Sequence, residues 1–136
     1  MYHEVVSKRV GADSKGRDKE FQEKFLVENK EFCAEAEVMV KELFNYENEV
    51  TSVKQSKIYE FVNEREDSEQ FIYLSTIEAT FINEDDGSEK VTKYVVGVFA
   101  MSVEEATRIS QEYMAQGLAD MTLTSVKKTK FIELLK

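Results

Sequence analysis

His3 and Cys33 are the only histidine and the only cysteine among 136 residues, and they bound the proton-transfer and covalent chemistry open to this chain. Catalysis needs groups that converge. A serine triad would have to draw on His3, and no strand-turn-helix nucleophile elbow is written around any serine. Zinc needs a Cys/His cluster, which one residue of each type does not supply. His3 lies near one end of the sequence and is expected as a surface strand residue. Cys33 falls at the start of a predicted helix, where thiols can gain reactivity; its simpler reading is a small, half-buried apolar residue. Neither G-x-G-x-x-G nor a P-loop occurs among the five glycines. The acidic stretches "NEREDSE" (63–69) and "NEDDGSE" (83–89) do not fit a twelve-residue calcium loop and read as solvated turns. No catalytic set, metal site or cofactor site is therefore expected.

The lysines are the remaining candidates. Lys54, Lys57, Lys127, Lys128 and Lys130 fall on two related segments, with Tyr59 and Phe131 beside them. Lysines next to aromatic rings suit phosphates and stacked bases of a single strand. The competing reading is that lysines guard sheet edges against pairing with other chains. The net charge of −9 argues against unspecific coating of duplex DNA.

The segments that carry these lysines are near-copies. "TSVKQSKIYEFV" (51–62) and "TSVKKTKFIELL" (124–135) match at six of twelve positions. Each follows an amphipathic helix, and each helix follows a strand pair. The first pair is read at residues 2–10 and 20–28, and the second as "QFIYLSTIEATFIN" and "KVTKYVVGVFAM". Asp86-Gly87 between the latter two suits a two-residue hairpin turn. That turn pairs Phe81 with Thr92 and puts Phe81, Ala79, Ile77, Tyr94, Val96 and Val98 on one face. Ser102 and Glu105 have the spacing of a capping box. Ala36, Met39 and Leu43 meet Ala106, Ile109 and Tyr113 at an offset of 70, and Phe25-Leu26 meets Val95-Val96.

The expectation is an α+β single domain, residues 1–136, built from a duplicated ββαβ unit. Its pseudo-symmetric halves are about 1–63 and 70–136. Two helices would pack on one face of a mostly antiparallel six-stranded sheet. The absence of proline suits long strands. Phe71, Ile72, Tyr73 and Leu74 are apolar on both strand faces, so a second layer or a second chain should cover them; a homodimer interface is expected there. No signal peptide or membrane span is read, and one cysteine allows no internal disulfide, which points to the cytoplasm.

The "F-x-x-E-A-E" helix start (Phe32, Glu35, Ala36, Glu37), the "FI-Y-L…ATFIN" strand and the final "SV-K-T-K-F-I-E-L" strand resemble a family of small domains of unknown function from gut Bacteroidota and their tailed phages. The resemblance covers nearly the whole chain and rests on core and cap residues. It implies a phage or mobile-element setting and brings no site residues. The function expected is a non-enzymatic, self-associating interaction or accessory module with a protein partner. Single-stranded nucleic-acid or nucleotide binding through the lysine strands is the alternative, as is an acidic inhibitor of a host DNA-binding protein.

Overall fold

The computed structural model describes residues 1–28, 30–117 and 120–136. The elements are β1 (Tyr2–Ala12), β2 (Asp18–Glu28), α1 (Cys33–Leu43), β3 (Glu49–Gln55), β4 (Ile58–Phe61), β5 (Phe71–Ile82), β6 (Glu89–Ala100), α2 (Val103–Ala115), β7 (Asp120–Lys128) and β8 (Phe131–Leu135). They form two four-stranded sheets, ordered β3-β1-β2-β8 and β4-β6-β5-β7, with one helix against each. This overturns the expected single six-stranded sheet carrying two helices on one face. The cause is local: each segment read as one closing strand is two. The first breaks at Ser56-Lys57 and the second at Thr129-Lys130. Neither break holds a glycine or proline.

The break sends the two parts of each segment to different sheets. β3 pairs antiparallel with β1 and β7 with β5, whereas β4 runs parallel to β6 and β8 parallel to β2. The compact units are accordingly Met1–Ser56 with Lys130–Lys136 (unit 1), and Lys57–Thr129 (unit 2). Each sheet is closed by a strand that follows the helix of the other.

Corresponding rungs carry corresponding residues. Val6 faces Ser52 and Thr76 faces Ser125, offsets of 70 and 73, and a bulge follows each pair. At each bulge a threonine hydroxyl caps the carbonyl across the ladder: Thr51 to Val6 at 3.4 Å, Thr124 to Thr76 at 3.1 Å. At each break the small residue anchors the strand end: Ser56 N–H donates to Tyr2 O, and Thr129 N–H to Ile72 O. Glu60 lies beside Val96 and Glu133 beside Phe25. β2 thus corresponds to β6 at an offset of 71, so Phe25 matches Val96 rather than the expected Val95. The extra residue is in the second hairpin loop, 83–88 against 13–17. Of the shared residues, Thr51/Thr124 and Ser52/Ser125 sit at the bulge, Val53/Val126 pack on the core, and Lys57/Lys130 lie in the break.

In unit 1, α1 lays Ala36 and Val40 on Val5, Phe25 and Val27. Each such large aliphatic or aromatic side chain contributes roughly 1.5–3 kcal/mol on full burial. Asn48 Nδ2 donates to Ser7 Oγ at 2.7 Å and to Val40 O, tying the start of β3's approach to the helix end. His3 is buried, 1% exposed, with no partner on Nδ1; the strand start is paired on both sides, opposite Val27 and Gln55, and the expected surface position is corrected. In unit 2, α2 lays Ala106, Ile109, Tyr113 and Met114 on Tyr73, Ile77, Val96 and Val98. Ser102 Oγ accepts from Glu105 N–H at 3.1 Å. The equivalent Phe32 caps α1 with no side-chain bond and is exposed.

The second hairpin is longer in its turn than expected. Asn83 N–H donates to Ser88 O and Gly87 N–H to Asn83 O, with Gly87 at φ 73°. Six loop residues move the register by two: Phe81 faces Lys90, and Thr92 faces Ala79. A shift of two preserves faces, so Ile77, Ala79, Val96 and Val98 are buried as expected. Phe81 is not: it is 50% exposed.

Candidate functional site

Three of the five lysines lie on edge strands, Lys54 on β3 and Lys127 and Lys128 on β7, while Lys57 and Lys130 sit in the breaks before β4 and β8. β3 and β8 are the two edges of one sheet, and β4 and β7 those of the other. Within unit 1, Lys54 and Lys130 are separated by β1 and β2; within unit 2, Lys57 is separated from Lys127 and Lys128 by β6 and β5. All five are exposed, but two are engaged: Lys54 lies 3.6 Å from Glu4, and Lys128 sits 3.6 Å above the Phe71 ring. Tyr59, 66% exposed, meets Tyr94 edge to face at 5.6 Å. Phe131 is half-buried beside Lys24. Neither unit gathers its lysines into one strip. Charged, bulged edges resist pairing with foreign strands.

Of the four residues expected at a dimer interface, Ile72 is fully buried and Tyr73 nearly so within the single chain. Leu74 is half-buried, and Phe71 carries Lys128 over its ring. Ile72 and Tyr73 thus belong to the chain's own core, while Phe71 remains 44% exposed. Cys33 is exposed rather than half-buried. The acidic stretches 63–69 and 83–89 lie beyond opposite ends of β5, a separation of roughly 40 Å at about 3.3 Å per residue.

A polar cleft of about 350 Å³ runs between α2 and the 62–70 segment. The segment is built by its own bonds: Asn63 exchanges two hydrogen bonds with the Phe99 backbone, and Gln70 Oε1 accepts from the amides of Glu66 and Asp67. Arg108 pairs with Glu112 at 2.8 Å. Tyr113 donates a short hydrogen bond to Glu60. Burial, reinforced by that carboxylate, holds the Tyr113 phenol well above its ordinary pKa. Such a lining can hold a ligand by charge and hydrogen bonds. In unit 1 the same helix positions are Val38 and Leu43, so Arg108 and Tyr113 belong to unit 2 alone. Among the described residues, no group of three or more His, Cys, Asp or Glu is placed to hold a metal ion.

The longest run of exposed residues among those described is the tip of the β5–β6 hairpin. Every residue from 81 to 93 is exposed. Among the described residues β7 pairs with β5 only as far as Thr80, and β4 reaches β6 only at 95–97. Beyond them the hairpin projects as a two-stranded ribbon. It presents Phe81 (50% exposed), Ile82 (65%) and Val91 (55%). The corresponding ribbon of unit 1 covers its aromatic: the Arg9 guanidinium lies 4.9 Å from the Phe21 ring centre and the Lys19 ammonium 5.6 Å. The ribbon was missed in the sequence because a two-residue turn placed Phe81 on the core face. The signal available was length, since twelve-residue strands outrun the segments that flank them.

A family model described as Domain of unknown function (DUF4494) matches residues 1–136. The chain belongs to that family. No curated protein and no solved structure matches it. The resemblance read from the core and cap residues, to a domain family of unknown function, is borne out to that extent. No helix among the domain's described residues is long and apolar enough to cross a membrane.

Proposed function

We propose that the domain is a non-enzymatic protein–protein interaction module that docks through the β5–β6 ribbon. The observation that supports this is the exposure of Phe81, Ile82 and Val91 on a projection whose counterpart in unit 1 shields its ring with cations. A two-stranded ribbon is marginal alone in water, and exposed apolar groups on it gain most from a partner's groove. The tip also carries Glu84, Asp85, Asp86 and Glu89 against Lys90 and Lys93. Bonds from the Ser88 hydroxyl and amide hold the Asp86 carboxyl below its usual pKa, so it is charged at neutral pH. The partner that fits has an apolar groove with a basic rim. A phage or mobile-element setting, with the domain acting on a host or virion protein in the cytoplasm, is part of the same reading and rests on the family resemblance alone.

The test compares the wild-type domain with Phe81→Ser/Ile82→Ser/Val91→Thr in capture from the native host. A single basic protein held at stoichiometric level by the wild type and lost by the triple variant is expected. The far-UV spectrum and melting of the variant should stay within error of wild type. Retention of that protein by the variant, or no stoichiometric capture by the wild type, refutes the proposal.

A further inference from the structure

We propose that β8 is exchangeable between copies, so that two chains form a dimer in which residues 131–135 of each complete the β3-β1-β2-β8 sheet of the other. Within one chain, β8 already closes a unit to which the preceding seventy-odd residues do not belong. The β2 edge that receives it is chemically the same in a second copy. The parallel rungs Lys24–Phe131, Phe25–Glu133, Leu26–Leu134 and Val27–Leu135 would pass from the intramolecular to the intermolecular form unchanged. The exchange keeps those rungs, and swapping an identical element is a low-cost route to a dimer.

The hinge favours it. β7 and β8 are separated only by Thr129 and Lys130, and short hinges invite swapping. Thr129 is anchored in unit 2: its N–H and Oγ both donate to Ile72 O, at 3.0 and 2.8 Å. Those bonds survive when β8 leaves. With no glycine or proline at the break, the local sequence permits β7 and β8 to run on as one strand. A straightened strand would carry 131–135 to another copy's β2. The matching break at Ser56-Lys57 lacks this freedom, because β4 is held between β3 and β5 in the chain. Among the described strands β8 pairs with β2 alone. This inference is independent of the ribbon, whose residues 81–93 it does not touch.

The experiment uses the full chain with Cys33→Ser, Lys24→Cys and Phe131→Cys, oxidised over a range of concentrations and run on non-reducing gels. The two cysteines are rung partners, so a disulfide reports which chain supplies β8. Two chains covalently linked through the 24–131 pair are expected, their ratio to closed monomer rising about tenfold per tenfold in concentration. Light scattering of the unsubstituted chain should show the same dimer. A three-residue Gly-Gly-Ser insertion after Thr129 should lower its proportion several-fold by relaxing the hinge. A strict monomer by light scattering, a dimer whose 24–131 disulfides are all within one chain, or a dimer indifferent to the insertion would each overturn the proposal.

Discussion

Ser75 on β5 and Ser110 on α2 are both fully buried, with their hydroxyls 2.7 Å apart. Ser110 also donates to Ala106 O at 2.8 Å. If Ser110 spends its proton there, Ser75 must donate to Ser110, and the pair is asymmetric. Ser110→Ala then strands the Ser75 hydroxyl in an apolar core, at about 1–3 kcal/mol. The better helix propensity of alanine returns about 0.5 kcal/mol. Ser75→Ala leaves Ser110 bonded to Ala106 and costs about 0.5–1 kcal/mol. Removing both hydroxyls leaves nothing stranded, so the double variant should be more stable than Ser110→Ala alone. Unit 1 shows that a polar pair is not required: the same two positions hold Val5 and Val40, both fully buried. Urea unfolding followed by circular dichroism would measure the three variants, since the chain has no tryptophan. The Ser110→Ala melting temperature should fall by roughly 2–10 °C, at about 4 °C per kcal/mol for a chain of this size. A double variant less stable than Ser110→Ala would refute the donor assignment and the stranded-hydroxyl argument with it.

Two further outcomes follow from the packing and the titration of unit 2. A Cβ on Gly97 would lie 2.5 Å from the Phe61 ring, which stacks on Phe99 at 5.2 Å. Gly97→Ala should therefore cost about 1–3 kcal/mol by urea midpoint, and adding Phe61→Leu should recover most of it; a harmless Gly97→Ala would show that the ring has room to move. The Tyr113 phenol is raised above its unfolded pKa, first by burial and then by Glu60. Its stabilising contribution is thus fully present below about pH 10 and lost as pH rises beyond it. Tyr113→Phe should flatten, without abolishing, the loss of stability measured between neutral pH and about pH 11, because Tyr73 and Tyr94 are also raised by burial.

The pairing of near-identical segments was legible because their shared residues do separate jobs: Thr51 and Thr124 at the bulges, Val53 and Val126 in the core, Lys57 and Lys130 opening the diverted strands. Helix positions and the buried face of β5–β6 were legible from periodicity, which survives a register shift of two. The break was not. Ser56-Lys57 and Thr129-Lys130 carry no turn signature, and the diversion is set by which sheet edge lies within reach, a tertiary fact. His3 was misplaced because closeness to a terminus says nothing about a strand held on both flanks. The ribbon was missed for a related reason: exposure of Phe81 depends on where β7 and β4 stop, which no residue of the hairpin itself encodes.

Because residues 131–135 form the fourth strand of the unit that begins at Met1, the strand that completes the first-made sheet is made only after the whole second unit. A ribosome making this protein releases β1, β2, α1 and β3 long before their closing strand exists. The β2 flank waits, unpaired, through the making of the entire second unit. During that interval the nascent chain carries an open parallel acceptor.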